Sequence, residues 1–132
     1  MNRKKILIID DDPIILFLHE AILEDIAPNA EFLSFENGKL AKEYILGHDE
    51  YEFLLFLDIN MPVMNGWELL QFFLVYERPI NILVIMVTSS VNESDRIKAF
   101  QFPMVKDVLI KPLSLNSLKK LCEVEGVRDF FY

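Results

Sequence analysis

Asp10, Asp11 and Asp12 follow the apolar run Ile6–Ile9, and Asp58 closes a second apolar run, Phe53–Leu57. Thr88 ends a third, Ile80–Val87, and Lys111 follows a final strand-like segment, Val105–Ile110. A short, wholly apolar run reads as a strand buried on both faces, as in the middle of a parallel sheet. In a parallel sheet all these polar ends fall on one side, the side where open α/β sheets bind ligands. Carboxylates gathered within a few ångström repel one another unless a cation joins them. Hard oxygen ligands, with no cysteine cluster and no suitable histidine, favour Mg²⁺, which keeps positions open for phosphate oxygens. Lys111 adds a fixed positive charge and Thr88 a hydroxyl, and with the metal these could neutralise a phosphoryl group in transfer. Asp58 would then be the nucleophile, kept ionised by Mg²⁺ and Lys111.

The elements between these residues must bring them together. Asp12-Pro13 has the form of an N-cap and first helical position, and Ile15, Leu18, Ile22 and Ile26 recur at helical spacing up to Ala27-Pro28-Asn29. Glu31–Phe35 reads as a short strand, and Asn37-Gly38 opens a helix with Leu40, Ala41, Tyr44 and Ile45 on one face, ending near Gly47. After Asp58 comes a Pro/Asn/Gly loop to Gly66, then an unusually apolar helix from about Trp67 to Tyr76. That helix either meets a partner or is tucked under its neighbours, since a surface helix needs only a stripe of roughly 100°. Asn92 caps a fourth helix that Phe102-Pro103 ends, and Ser114 caps a fifth bearing Leu115, Leu118, Leu121 and Cys122. The tail Glu125–Tyr132 extends or follows it. Strands alternating with helices five times predict an α/β, flavodoxin-like three-layer sandwich around a five-stranded parallel sheet.

The bulk properties agree. A chain of 132 residues, 52% hydrophobic and with eleven Phe, suits one folded domain over residues 1–132 with no second, output domain. A net charge of −8 disfavours nucleic acid, whose backbone wants a basic face. The start Met1–Lys5 leads into only four apolar residues before the aspartates, too short for a signal peptide or a spanning helix. The single Cys122 excludes an internal disulfide. A soluble, cytoplasmic protein with no membrane role is the expectation. His19, mid-helix among Leu18, Glu20 and Ala21, reads as a surface or boundary residue, and His48, beside Asp49, as solvent-exposed.

Along essentially its whole length the chain resembles the receiver domain of two-component response regulators. The matching pieces, in order, are Ile6-Leu-Ile-Ile-Asp-Asp-Asp-Pro13, Leu57-Asp-Ile-Asn-Met-Pro-Val-Met-Asn-Gly66, Val87-Thr88 and Ile110-Lys-Pro-Leu113. The resemblance implies a sheet order of 2-1-3-4-5 with five helices. It implies that Asp58 is the phosphoacceptor, that Asp11 and Asp58 bind Mg²⁺ directly with the backbone carbonyl of Asn60, and that Asp10 acts on the metal through water. It makes Thr88 the switch hydroxyl, pairs Lys111 with the phosphoryl group, gives a cis Lys111-Pro112 peptide, and leaves Asp12 as helix cap. The donor it implies is a sensor histidine kinase or histidine phosphotransfer protein, with a downstream protein target unspecified by the sequence and a monomer or weak homodimer as the working state.

The sequence departs from the family at three places. Val108 stands where the family usually has Tyr or Phe three residues before the lysine. Met104-Val105 replaces the usual Gly-Ala, and Ser89 the common Ala after the switch hydroxyl. Aromatic rotamer switching is therefore closed to this chain, leaving a shift led by Thr88 of the loop that follows it. Two other readings compete. A phosphorylation-independent interaction module of the same fold draws on Val108. A phosphohydrolase with an aspartyl-phosphate intermediate would want a second acid two residues after the nucleophile, where this chain has Asn60.

Overall fold

The apolar runs become the interior of a parallel sheet. The structure is a computed structural model describing residues 3–132, so Met1 and Asn2, part of the start read above, lie outside the described residues. Five strands, β1 (Arg3–Ile9), β2 (Phe32–Phe35), β3 (Tyr51–Asp58), β4 (Ile82–Thr88) and β5 (Val105–Ile110), pair in parallel in the order β2-β1-β3-β4-β5. This is the expected flavodoxin-like sheet. Helices α1 (Pro13–Ile26), α2 (Gly38–Leu46), α3 (Gly66–Leu74), α4 (Glu93–Phe100) and α5 (Leu115–Leu121) cover it.

Side chains alternate across a strand, so the sheet divides the interior into two cores. Leu7 and Ile9 of β1, with Leu55 and Leu57 of β3, pack towards Ala41 and Ile45 of α2, Leu69, Leu70 and Phe73 of α3, and Ala99 of α4. Ile6 and Ile8, with Leu54 and Phe56, pack towards Leu16 and Leu23 of α1 and Leu118 and Leu121 of α5. The tail closes this second core: a 3₁₀ turn at Arg128–Phe130 buries Phe130 and Phe131 in it. β3 is central and lies beneath both layers, which is why Phe53–Leu57 carries no polar side chain.

Local signals set the helix starts as the sequence suggests. Asp12 accepts from the Ile14 N–H, Asn37 from Leu40, Asn92 from Asp95, and Ser114 from Ser117. Asn65 and Glu68 form a reciprocal capping box at the start of α3. Several bounds move: β2 begins at Phe32, β4 spans Ile82–Thr88, and α3 stops at Leu74, so Val75 and Tyr76 fall beyond it. The α3 surface divides, with Leu69, Leu70 and Phe73 buried and Leu74, like Val75 just beyond the helix, exposed. In α1 the buried stripe is Leu16, His19 and Leu23, and Leu18, expected inside, is 43% exposed. The stripe is rotated because α1 packs partly against α5 and not only on the sheet.

The loop from β3 to α3 is closed on itself and tied to the start of α2 by main-chain bonds. Gly66 N–H donates to Ile59 O at 2.9 Å, and Gly38 N–H to Met64 O at 3.0 Å. A Cβ on Gly66 would lie 2.5 Å from the Asp58 carbonyl oxygen, closer than real contacts allow. Gly66→Ala should therefore cost about 1–3 kcal/mol in denaturant unfolding. Gly47→Ala is the contrasting case, because its Cβ would meet Glu43 O at 3.5 Å and Tyr44 O at 3.7 Å, both ordinary contacts. It should leave stability within about 1 kcal/mol, in the stabilising direction.

Candidate phosphoacceptor site

Strand pairing alone makes two acids neighbours. Ile9 of β1 is in register with Leu57 of β3, so the next residues, Asp10 and Asp58, emerge side by side at the carboxyl edge. Both are buried, Asp10 to 2% exposure and Asp58 to 4%. Asp11 is exposed, and one carboxylate oxygen from each of Asp10, Asp11 and Asp58 lies within 4.8 Å of the others. An all-oxygen set of this charge fits a hard divalent cation. The acidic cluster expected at this edge is therefore present.

Lys111 reaches the same point from the end of β5. Its Nζ lies 2.9 Å from Asp10 Oδ2 and 3.1 Å from Asp58 Oδ1. Asp10 uses its other oxygen, Oδ1, to accept the Asp12 N–H at 2.9 Å. Burial pushes the Asp58 carboxyl up to about 6, reinforced by the Asp10 carboxylate and opposed by the Lys111 ammonium. Burial alone would lower the Lys111 ammonium, but its bonds to Asp10 and Asp58 outweigh that and hold it above its usual value.

Thr88, buried at the end of β4, joins Lys111 through the main chain: Lys111 N–H donates to Thr88 O at 2.7 Å. The Thr88 hydroxyl donates to Ser90 O at 3.2 Å, tying it to the loop before α4. Asn60 lies exposed in the loop after Asp58, and the Lys111-Pro112 peptide is cis. Asp12 caps α1, as expected, and takes no part in the cluster.

Two histidine readings need correcting. His19 is 2% exposed, not at a boundary, and its Nε2 accepts the Leu113 N–H at 3.1 Å. Burial holds the imidazolium down to about 4, against the pull of Asp10 and with a smaller push from Lys111, so the ring is neutral at pH 7. The available signal was spacing: His19 stands three residues after Leu16 and four before Leu23, on the buried face. His48 is half-buried, stacked on Tyr44 at 4.0 Å, its Nδ1 2.8 Å from Tyr44 O.

The family model of the response regulator receiver domain matches residues 6–123. An uncharacterised response regulatory protein of Vibrio cholerae is 33% identical over 86% of this chain, which covers 41% of that protein. The response regulator Rcp1 of Synechocystis is 28% identical over 97% of this chain and 88% of its own length. Among solved structures, a two-component response regulator from Cytophaga hutchinsonii superposes with a TM-score of 0.79 at 30% identity, covering 91% of this chain and 94% of its own. The chain spans less than two thirds of several curated relatives, 53% of a rice two-component response regulator among them.

The crowding of Asp58 has a measurable consequence. A carboxyl raised from 3.8 to about 6 by folding binds more protons folded than unfolded between those values, so its ionisation destabilises the fold as pH rises through that window. In metal-free buffer Asp58→Asn should stabilise the protein at pH 7 by on the order of 3 kcal/mol, with the gain shrinking towards pH 4. Denaturant unfolding at pH 4 and 7 checks it. A gain independent of pH would contradict this account.

Proposed function

The chain belongs to the response regulator receiver domain family, a family of signalling modules, and from that premise we propose that it is the phosphoacceptor of a two-component phosphorelay. The observation that carries this reading is a buried carboxylate, Asp58, at the end of the central strand with an ammonium 3.1 Å away and two further acids beside it. In the proposed step an Asp58 carboxylate oxygen attacks the phosphorus of a phosphohistidine on a sensor histidine kinase or histidine phosphotransfer protein. The new O–P bond forms as the P–N bond breaks, and the electron pair returns to the donor imidazole. Lys111 stays protonated and neutralises phosphoryl oxygen charge, and the Thr88 hydroxyl leaves Ser90 O to donate to that group.

Asp11 and Asp58 would hold Mg²⁺ directly with the Asn60 carbonyl, and Asp10 through water, the cation supplying further charge neutralisation at the phosphoryl oxygens. Ile14, Phe17 and Leu18 share one exposed face of α1 just past Asp11 and supply an apolar surface for the donor protein. Any hydrolysis is the slow loss of the chain's own phosphoryl group, and the protein works in the cytoplasm as a monomer or weak homodimer. The described residues contain no helix long and apolar enough to cross a membrane.

The switch proceeds without an aromatic ring. Val108 is buried in the core, so the signal follows Thr88 and the Ser89–Asn92 loop into α4. The surface it alters is that of α4, β5 and α5, where Ile97, Phe100, Ile110 and Leu115 are exposed.

Incubation with acetyl phosphate and Mg²⁺, followed by intact mass, tests the chemistry. One phosphate adduct is expected on the wild type and none on Asp58→Asn, and chelating the Mg²⁺ should abolish the wild-type adduct. No adduct on a wild type that still binds Mg²⁺ would favour the phosphorylation-independent interaction module.

A further inference from the structure

His19 is wired to the site from outside it. It stands on α1, and the residue it grips, Leu113, is 94 positions away in the loop between β5 and α5. That loop is short: Lys111 follows the last residue of β5, and Ser114 already caps α5. Pro112 has no N–H to give, so Leu113 offers the first main-chain donor after Lys111. On its other side Lys111 is fixed by its own N–H to Thr88 O. The two bonds bracket the ammonium that bridges Asp10 and Asp58.

A buried imidazole is an uneconomical space-filler, since an apolar side chain of similar size packs there without a polar atom to satisfy. What the imidazole adds is an acceptor for a buried donor, because Leu113 is itself buried and its N–H would otherwise be orphaned. The ring's Nε2 is committed to that N–H, while the Lys111 ammonium is committed to Asp10 and Asp58. A phosphoryl group in flight is sensitive to such placement, because positioning supplies much of the catalysis where the protein does little covalent chemistry.

We infer that His19 is a positioning residue for the phosphoryl transfer: by accepting the Leu113 N–H it fixes the chain after Lys111 and so sets where the Lys111 ammonium sits against Asp58. The inference rests on Asp58 being the phosphoacceptor.

The test follows the rate of adduct formation from acetyl phosphate at saturating Mg²⁺. The proteins compared are the wild type, His19→Leu, His19→Gln, Lys111→Ala and the double variant His19→Leu/Lys111→Ala. His19→Leu should lose roughly tenfold in the plateau rate, with the Mg²⁺ concentration for half-saturation unchanged. His19→Gln, whose amide oxygen can accept from Leu113, should recover most of that loss. In the Lys111→Ala background, His19→Leu should cost nothing more, since its effect runs through Lys111. A wild-type rate in His19→Leu, no recovery in His19→Gln, or an additive loss in the double variant would each overturn the inference while leaving the phosphoacceptor reading intact. No adduct on the wild type would remove that reading and the inference with it. Should His19→Leu not fold, His19→Asn, too short to reach Leu113, takes its place with the same expectations.

Discussion

The Lys111 ammonium between Asp10 and Asp58 is the contact on which this end of the molecule depends. Parallel pairing of β1 with β3 forces two buried acids to adjoin, whatever their ionisation costs. One lysine at 2.9 and 3.1 Å offsets part of that cost and cannot offset all of it, which is why the Asp58 carboxyl stays at about 6. A site left with surplus negative charge is primed for a further cation. Under the proposed function the instability and the chemistry have one origin, namely carboxylates crowded where the sheet has removed their water.

The inner strands β1, β3 and β4 and their polar ends were legible in the sequence because burial on both faces leaves no room for compromise. A run such as Phe53–Leu57 has one compatible environment, and the residue that breaks it marks the strand's end. Caps were legible for a similar reason, since Asp12, Asn37, Asn92 and Ser114 each satisfy orphan N–H groups within a few residues. The face of α1 was not. Ile14, Ile15, Leu16, Phe17 and Leu18 are apolar in succession, so periodicity cannot say which of them faces inward. That choice depends on α5, far away in the chain, and with it went the burial of His19. The depth of α3 was unreadable on the same ground, its apolar circumference exceeding what two neighbouring helices can cover.

Val108 tests how much of a switch resides in one side chain. It lies in register with Met86 of β4 and packs in the core under α4, so the strand is filled there without a ring that could swing outward. Under the proposed reading this moves the conformational change from a side-chain rotamer to a loop. The Thr88 hydroxyl already participates in a local turn with Ser90, whose N–H lies 3.4 Å from the same oxygen. Redirecting that hydroxyl would withdraw support from the segment leading into α4. A loop with exposed Ser89, Ser90 and Val91 and few packed side chains is inexpensive to rearrange.

The two groups assigned to the phosphoryl oxygens are also joined to each other. Lys111 donates its N–H to Thr88 O at 2.7 Å, so any shift at the end of β4 pulls on the end of β5 through a main-chain bond that no side-chain substitution removes. A displaced Lys111 would load Ile110, exposed on one side, and Pro112 and Leu113 on the other, where Leu115 begins α5. The anchor on Leu113 decides how far it travels. A rigid anchor returns the displacement to β5 and α4, whereas a loose one would dissipate it in the loop. That anchor stands on α1, the helix whose outer face carries Ile14, Phe17 and Leu18, so under the proposed function a donor seated there and the α4–β5–α5 surface would meet at the same three residues from opposite ends. Under the proposed function, any coupling between the two surfaces through Lys111–Leu113 would be reciprocal, each partner altering the other's affinity by the same factor.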